Sequence, residues 1–346
     1  MGHEITEKDS LFCVGAKPWH GLGRVLENAP TPAEAIYFAG LAWRVALRPV
    51  TTTLADGGQP VIIPSHRSVL REDTGEILGV VGEDFTPLQN AEAFEWFAPL
   101  CDEGWLTLET AGSLRRGRRV WVMARVATDA IEVVPGDEVE PYVLLCHGHD
   151  GSLALRVGFN PVRVVCANTL AAALDDGDGL FCLRHTAGLT VALEDARRAI
   201  ARQIEIFRGS ADAWRLLAAR RCDAAAFDRY VLGVLGKVAG EGDTEVEASE
   251  PGPATGKRIL EVVRPLFVEG LRSDRPETRG TWWAAYNAVT QWCTHLRGSK
   301  AGTEAEQAAR RFDALHLGDG RRLGRRALLL ALAAADRAPG VVGEAA

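Results

Sequence analysis

The feature that most constrains this chain is a change of hydrophobic period part-way along it. From about residue 41 to 160 the apolar residues fall in short β-branched runs broken by Gly, Pro and Asp: LAWRVAL, QPVIIPSHRSVLR, EILGVVG, RRVWVMARV, YVLLCHGH and SLALRVGF. Runs of that length bounded by turn residues read as strands. After about residue 188 the period becomes helical and Ala, Leu and Arg dominate, with segments at 190–219, 222–236, 255–269, 281–297, 303–315 and 321–337. The expectation is an α+β protein, with an antiparallel sheet and a hairpin-helix unit in the N-terminal half and a helical C-terminal half. A length of 346 residues exceeds what one core usually serves, so two parts are expected, 1–187 and 188–346. The acidic, Gly/Pro-rich stretch GEGDTEVEASEPGPATG (240–256) interrupts the second as a loop.

One helix is expected among the strands. Pro87 to Cys101 follows Thr86 as N-cap, and places Leu88, Ala91, Phe94 and Phe97 on adjoining turns.

The segment from Tyr142 to Leu174 combines turn, strand and cap signals. Asp150-Gly151 between two apolar runs predicts a two-residue hairpin turn, which pairs Leu144 with Val157, Cys146 with Leu155 and Tyr142 with Phe159. That register gives an apolar face and an opposite strip of His147, His149, Ser152 and Arg156. Asn160-Pro161 reads as N-cap and first residue of a helix carrying Val162, Val165, Cys166 and Thr169 on one face, with Arg163 and Asn168 on others. Arg156 beside Arg163 would line a groove for phosphates, and Asn168 could reach base or sugar edges. Solvated arginines and a local Asn cap remain the alternative.

The densest positive charge is LRRGRRVWVMAR, in which Arg115, Arg116, Arg118 and Arg119 crowd a turn and Trp121 follows. Guanidinium groups beside an aromatic suit single strands, since bases stack without sequence preference. A solvated turn would have the same composition. The net charge of -7 argues against coating nucleic acid by bulk charge, so any such site is local. Seven cysteines without a CxxC pair read as reduced thiols. With no leader-like or membrane-spanning stretch, a cytoplasmic protein with no membrane partner is expected.

Four stretches resemble a family of unknown function carried by phages, plasmids and laterally transferred DNA: KPWHGLG (17–23), HDGSLALRV running into NPVRVVCANTL, TWWAAYNAVTQWCTH (281–295) and HLGDG (316–320). The resemblance implies a mobile-element context. The strand pair followed by a helix is similar in outline to phage single-strand annealing proteins of the RecT, Erf and Red-beta group, a likeness of topology in which no residue carries over.

Other constellations are weaker. Cys146, His147, His149, Asp150, Cys166, Cys182 and His185 are of metal-ligating types, but their spacing matches no known metal pattern, and no metal or cofactor is expected. WHGLG (19–23) reads as a turn, and GPATGKR lacks the first Gly and the final Ser or Thr of a phosphate loop. In the helix after Thr281, Trp282, Ala285, Tyr286, Val289, Cys293 and Leu296 form the core face, and Trp283, Asn287, Gln291 and His295 form a strip suited to a neighbouring subunit.

The function expected from these residues is single-stranded DNA binding or annealing for a mobile element by a homo-oligomer. Its contacts would come from Arg115, Arg116, Arg118, Arg119, Trp121, His149, Arg156, Arg163 and Asn168. The alternatives are a metal-dependent hydrolase or nuclease centred on His147 and His149 with Asp150, and a non-catalytic phage structural or regulatory protein.

Overall fold

The computed structural model describes residues 11–15, 23–53, 58–163, 168–169, 180–183, 198, 200, 202–236, 253–269, 276–297 and 319–339. Among them the strands are β1 (Leu11–Val14), β2 (Arg24–Leu26), β3 (Val45–Thr52), β4 (Val61–Arg71), β5 (Ile77–Gly82), β6 (Leu106–Leu114), β7 (Arg119–Val126), β8 (Ile131–Val134), β9 (Asp137–Gly148), β10 (Leu155–Arg163), β11 (Asn168–Thr169) and β12 (Leu180–Leu183). Helices α1 (Pro32–Phe38) and α2 (Asn90–Asp102) lie among them. The helical half holds α3 (202–209), α4 (Ala211–Ala218), α5 (Ala224–Leu235), α6 (Pro253–Val268), α7 (Trp282–Gln291, continued by a π turn to Leu296) and α8 (Asp319–Ala335). This is the α+β arrangement expected.

The large sheet runs β11-β10-β9-β7-β6-β1-β2, with β12 on β10 and β8 on β9, and a smaller sheet is β3-β4-β5. Every pairing is antiparallel except β1 with β2. One face of the large sheet carries Val120, Val122 and Ala124 of β7, Val143 and Leu145 of β9, and Leu155, Val157 and Phe159 of β10. Phe94 and Phe97 of α2, and Phe207, Trp214 and Trp283 from the helical half, join the same contiguous core. The sheet is therefore covered by helices on that side, as a half-buried antiparallel sheet requires.

The hairpin differs from its expected register by one residue. Val157 pairs with Leu145, Cys146 with Arg156 and Tyr142 with Asn160, and residues 149–154 connect the strands in place of a two-residue turn. Tertiary contacts hold this loop. The His149 N–H donates to the Arg118 carbonyl at 2.8 Å. The Asp150 carboxylate accepts from the N–H and hydroxyl of Ser152 at 2.9 and 2.6 Å. A Cβ on Gly79 of β5 would meet the Asp150 Cα at 2.6 Å. A slip of one residue exchanges faces, so Leu144 and Cys146 leave the main core and form a small cluster with Leu153, Trp121 and Met123 on the opposite side.

The helix expected to begin at Asn160-Pro161 is absent there, because β10 continues through both residues to Arg163. The local cap signal loses to a long-range ladder with the twelve-residue β9, in which Pro161 stands opposite Pro141. Helix α2 begins three residues after the expected Pro87, because the Glu92 carboxylate accepts from the Gln89 N–H at 2.9 Å. The Gln89 amide accepts from the Val45 N–H and donates to its carbonyl at 3.1 and 3.0 Å, tying α2 to β3.

The loop expected at 240–256 lies outside the described residues up to 252, and from Pro253 the chain is helical as α6. The segments KPWHG, 303–315 and HLG before Asp319, and the 164–167 stretch, also lie outside them.

Candidate nucleic-acid interface

On the face of the large sheet turned away from the helices, Cys146 of β9 stands between Trp121 of β7 and Arg156 of β10 in one rung. Strands lie about 4.8 Å apart, which puts the Trp121 and Arg156 backbones about 10 Å from each other. Arg119, two residues before Trp121, shares that face, and its Nη2 donates to the Ser152 hydroxyl at 3.3 Å. Trp121 and Arg156 are half-buried, whereas Arg119 is 8% exposed. The arginine belongs to the wall of such a site and the indole to its surface.

Next to this rung is the β6–β7 turn. Arg115 and Arg116 both hold positive φ, 55° and 60°, ahead of Gly117 at 88°. Consecutive non-glycine residues in the left-handed region are uncommon and cost on the order of 1–3 kcal/mol each. The turn is held because it seats on Trp43: a Cβ on Gly117 would meet the Trp43 ring at 2.9 Å. The Arg71 guanidinium covers that ring 4.4 Å from its centroid and is itself fixed by a bidentate pair with Asp73 at 2.7 and 2.9 Å. Arg116 and Arg118 are exposed at the turn, and Arg115 is half-buried. The far end of the face has the opposite charge. Tyr142 donates to the carboxylates of Glu109 and Glu140 at 3.1 and 2.8 Å, and Glu109 pairs with Arg125 at 2.7 Å. Burial first, and then those two carboxylates, push the Tyr142 phenol above its usual range.

The remaining expected residues are not gathered here. Arg163 pairs with Asn168 at the distal end of β10. Seven residues separate it from Arg156, about 23 Å along a strand, so the two do not meet in one groove. His149 is not on the ligand-facing strip. It is 1% exposed and His147 is 0% exposed, their rings meeting edge to face at 4.8 Å between centroids, with Trp43 5.3 Å from His149. Asn90 at the start of α2 donates through Nδ2 to the carbonyls of Leu41 and Trp43, which leaves its Oδ1 facing the His149 Nε2 at 3.0 Å. That network assigns the proton to Nε2. The one-residue slip in register explains the displacement of His147, which follows Cys146 on β9 and so faces the core.

The metal-ligating types are likewise separated. Cys146 and His147 occupy opposite faces, the Asp150 carboxylate binds Ser152, and no group of three or more His, Cys, Asp or Glu gathers among the described residues. The strip of α7 expected at a subunit interface is interior. Trp283, Asn287 and Gln291 are buried, and the Trp283 indole donates to the Asp137 carboxylate at 2.8 Å. Helix α7 packs on α4, α6 and α8, so it is buried on all sides and its polar residues Asn287, Thr290 and Gln291 are interior as well. Asp137, Trp43, Asn90 and Arg71 carry no local signal of these roles in the sequence; each acts through a partner distant along the chain.

The pattern of the family described as Domain of unknown function (DUF932) matches residues 77–316, well over half of the chain. The chain belongs to this family. No curated protein and no solved structure matches it. The DUF932 region contains the arginine turn, Trp121, the buried histidines and the aromatic helix, while KPWHGLG precedes it and HLGDG begins at its last residue. Trp43 and Arg71, which support the turn, lie outside it. No helix among the described residues is long and apolar enough to cross a membrane.

Proposed function

We propose that this chain binds single-stranded DNA across the outer face of its large sheet, in the service of a phage or plasmid. The observation that carries the reading is the rung that sets Trp121 and Arg156 on either side of Cys146 on one face, with Arg119 on the same face and Arg116 and Arg118 exposed at the adjoining turn. Guanidinium forks hold phosphates while an indole accepts a base face, and neither contact reads sequence. The strained turn is a second support, since backbone strain that the surroundings maintain concentrates at functional positions. Charge polarity along the face directs a strand toward the arginine end, away from Glu109 and Glu140. A backbone gripped in this way leaves base edges free to pair, and side-by-side copies of the chain would extend the track into an annealing surface.

Fluorescence anisotropy of a labelled single-stranded oligonucleotide at two salt concentrations tests this, with the wild type beside Arg116→Ala/Arg118→Ala. Both arginines are exposed, so the double variant keeps its fold. The wild type binds more weakly as salt rises and the variant binds weakly at both. Absence of binding at micromolar wild-type protein, or equal binding by the variant, overturns the reading.

A further inference from the structure

The helical half holds a second site candidate, far in sequence from the sheet face. A pocket of about 460 Å³ opens between α5, the start of α7 and the C-terminal end of α8. That volume falls within the range of small-molecule sites, about 300–1,000 Å³. Its wall is apolar and aromatic, formed by Tyr230, Trp282 and Leu330, and three arginines stand around it, Arg221, Arg229 and Arg337.

Three observations separate this pocket from a chance surface hollow. First, all three arginines are exposed, and the side chains of Arg229 and Arg337 make no ion pair or hydrogen bond among the described residues, while Arg221 donates once, to the Arg279 carbonyl at 3.3 Å. The acid lining the pocket, Asp223, already accepts the Ala226 N–H at 2.7 Å as the N-cap of α5. Three guanidinium groups against one capping carboxylate leave the opening with an excess of positive charge. Second, Trp282 is 4% exposed and its indole N–H finds no acceptor among the described residues, so a buried donor sits in the wall without a partner. Tyr230 beside it is satisfied, donating to the Ala327 carbonyl at 3.1 Å. Third, Gly233 lines the pocket from within α5, where glycine destabilises a helix by about 1 kcal/mol relative to alanine. Packing does not call for glycine there, because an added Cβ would meet only Leu330 Cδ1, at an ordinary 3.6 Å. What the missing side chain leaves is room in the pocket.

We infer that this pocket binds a small organic phosphate, its phosphate held by Arg229 and Arg337 and its apolar body lying against Trp282 and Leu330. Several guanidinium groups around one opening suit a dianion better than a single carboxylate, because each fork can take two oxygens. An aromatic wall beside them selects a flat body over a bare anion. The inference is independent of the sheet-face reading, since no residue is shared between the two.

Isothermal titration calorimetry with adenosine 5′-monophosphate, adenosine and inorganic phosphate tests it on the full chain. The monophosphate is expected to bind and raise the melting temperature, with adenosine and inorganic phosphate each at least tenfold weaker. Arg229→Ala/Arg337→Ala, both at exposed positions, should lose at least tenfold in affinity for the monophosphate and keep wild-type affinity for single-stranded DNA. Gly233→Leu keeps a good helix former in α5 and should lose the ligand while melting no lower than wild type. No heat of binding at millimolar monophosphate, inorganic phosphate binding as tightly as the monophosphate, or unchanged affinity in the double variant overturns the proposal.

Discussion

The two faces of the large sheet differ in how they use the same strands. On the helix-covered face, β7, β9 and β10 contribute Val120, Leu145 and Val157 to a core shared with α2 and the helical half, and even the polar groups there, His147, His149 and Asp137, are buried. On the other face, one residue along each strand, stand Trp121 and Cys146, of a small apolar cluster, and the half-buried Arg156. Alternation of side chains makes the two inseparable: every residue that stabilises the fold is flanked by one that faces outward. The difference teaches that the buried face and the outward face can be changed separately here, by choosing between adjacent residues of one strand.

The largest expected contrast is in stability. Phe159→Ala on β10, a 2% exposed residue packed 5.7 Å from the Phe207 ring, should lower unfolding free energy by about 3–5 kcal/mol. Met123→Ala, on the outer face and half-buried, should cost about 1 kcal/mol. Urea denaturation of both measures the gap, and equal losses would mean that the outer face is as deeply packed as the inner one. Next in size is Asn90→Ala. It strips the carbonyls of Leu41 and Trp43 and the His149 ring of their shared partner, at about 2–3 kcal/mol, with the same denaturation series as the check. A loss below about 0.5 kcal/mol would show that this buried network holds nothing.

The fold's division into strands and helices is legible because period 2 and period 3.6 are local properties. The strand runs around Arg67, Val80, Val122 and Leu144 all appear where expected, and so does the buried aromatic helix at Trp282. What is not legible depends on partners distant in sequence. Asn160-Pro161 has a helix-start signal, but β9 supplies a ladder that a local signal cannot report. Asp150-Gly151 looks like a tight turn, yet β5 and the Arg118 carbonyl set the loop and so the register. The alternation of β6 is interrupted by a register shift between Leu108 and Thr110, which hides a strand that a strict period-2 reading would find. Of the candidate site, Arg119, Trp121 and Arg156 were readable as a cationic-aromatic set, and the structure brings these three together. His149, Arg163 and Asn168 were placed by the wrong register or by the helix that is not there.

Binding should respond in the opposite order to stability. Trp121→Ala removes the outer-face indole and should cost about 1–3 kcal/mol of single-strand affinity, roughly five- to 150-fold, with a stability loss of about 1 kcal/mol, like that of Met123→Ala in the same cluster. A stability loss approaching that of Phe159→Ala would place Trp121 with the core. Arg156→Gln keeps a polar, though shorter, side chain and removes one charge from the same rung. Its expected signature is a shallower plot of log affinity against log salt, by about 0.7 for a single strand, with a modest loss at low salt. An unchanged slope would put the phosphate contact elsewhere, at the Arg116 and Arg118 turn alone.

The smallest effect comes from the acidic end of the outer face. The Tyr142 phenol is raised by burial and by the carboxylates of Glu109 and Glu140, whereas Tyr37 is exposed. With a folded pKa above the unfolded value of about 10, the native state keeps a proton that the unfolded chain releases, so the contribution is fully present below pH 10 and falls as pH rises beyond it. Tyr142→Phe should therefore flatten the alkaline limb of the stability profile above about pH 10 and leave its slope at neutral pH unchanged. The difference in absorbance at 295 nm between wild type and Tyr142→Phe gives the direct reading, with the Tyr142 increment missing until the chain unfolds. Should the Tyr142→Phe profile fall as steeply as wild type, neither burial nor the carboxylate pair would be holding the proton on this phenol, and the proposed negative end of the outer face would lose its support.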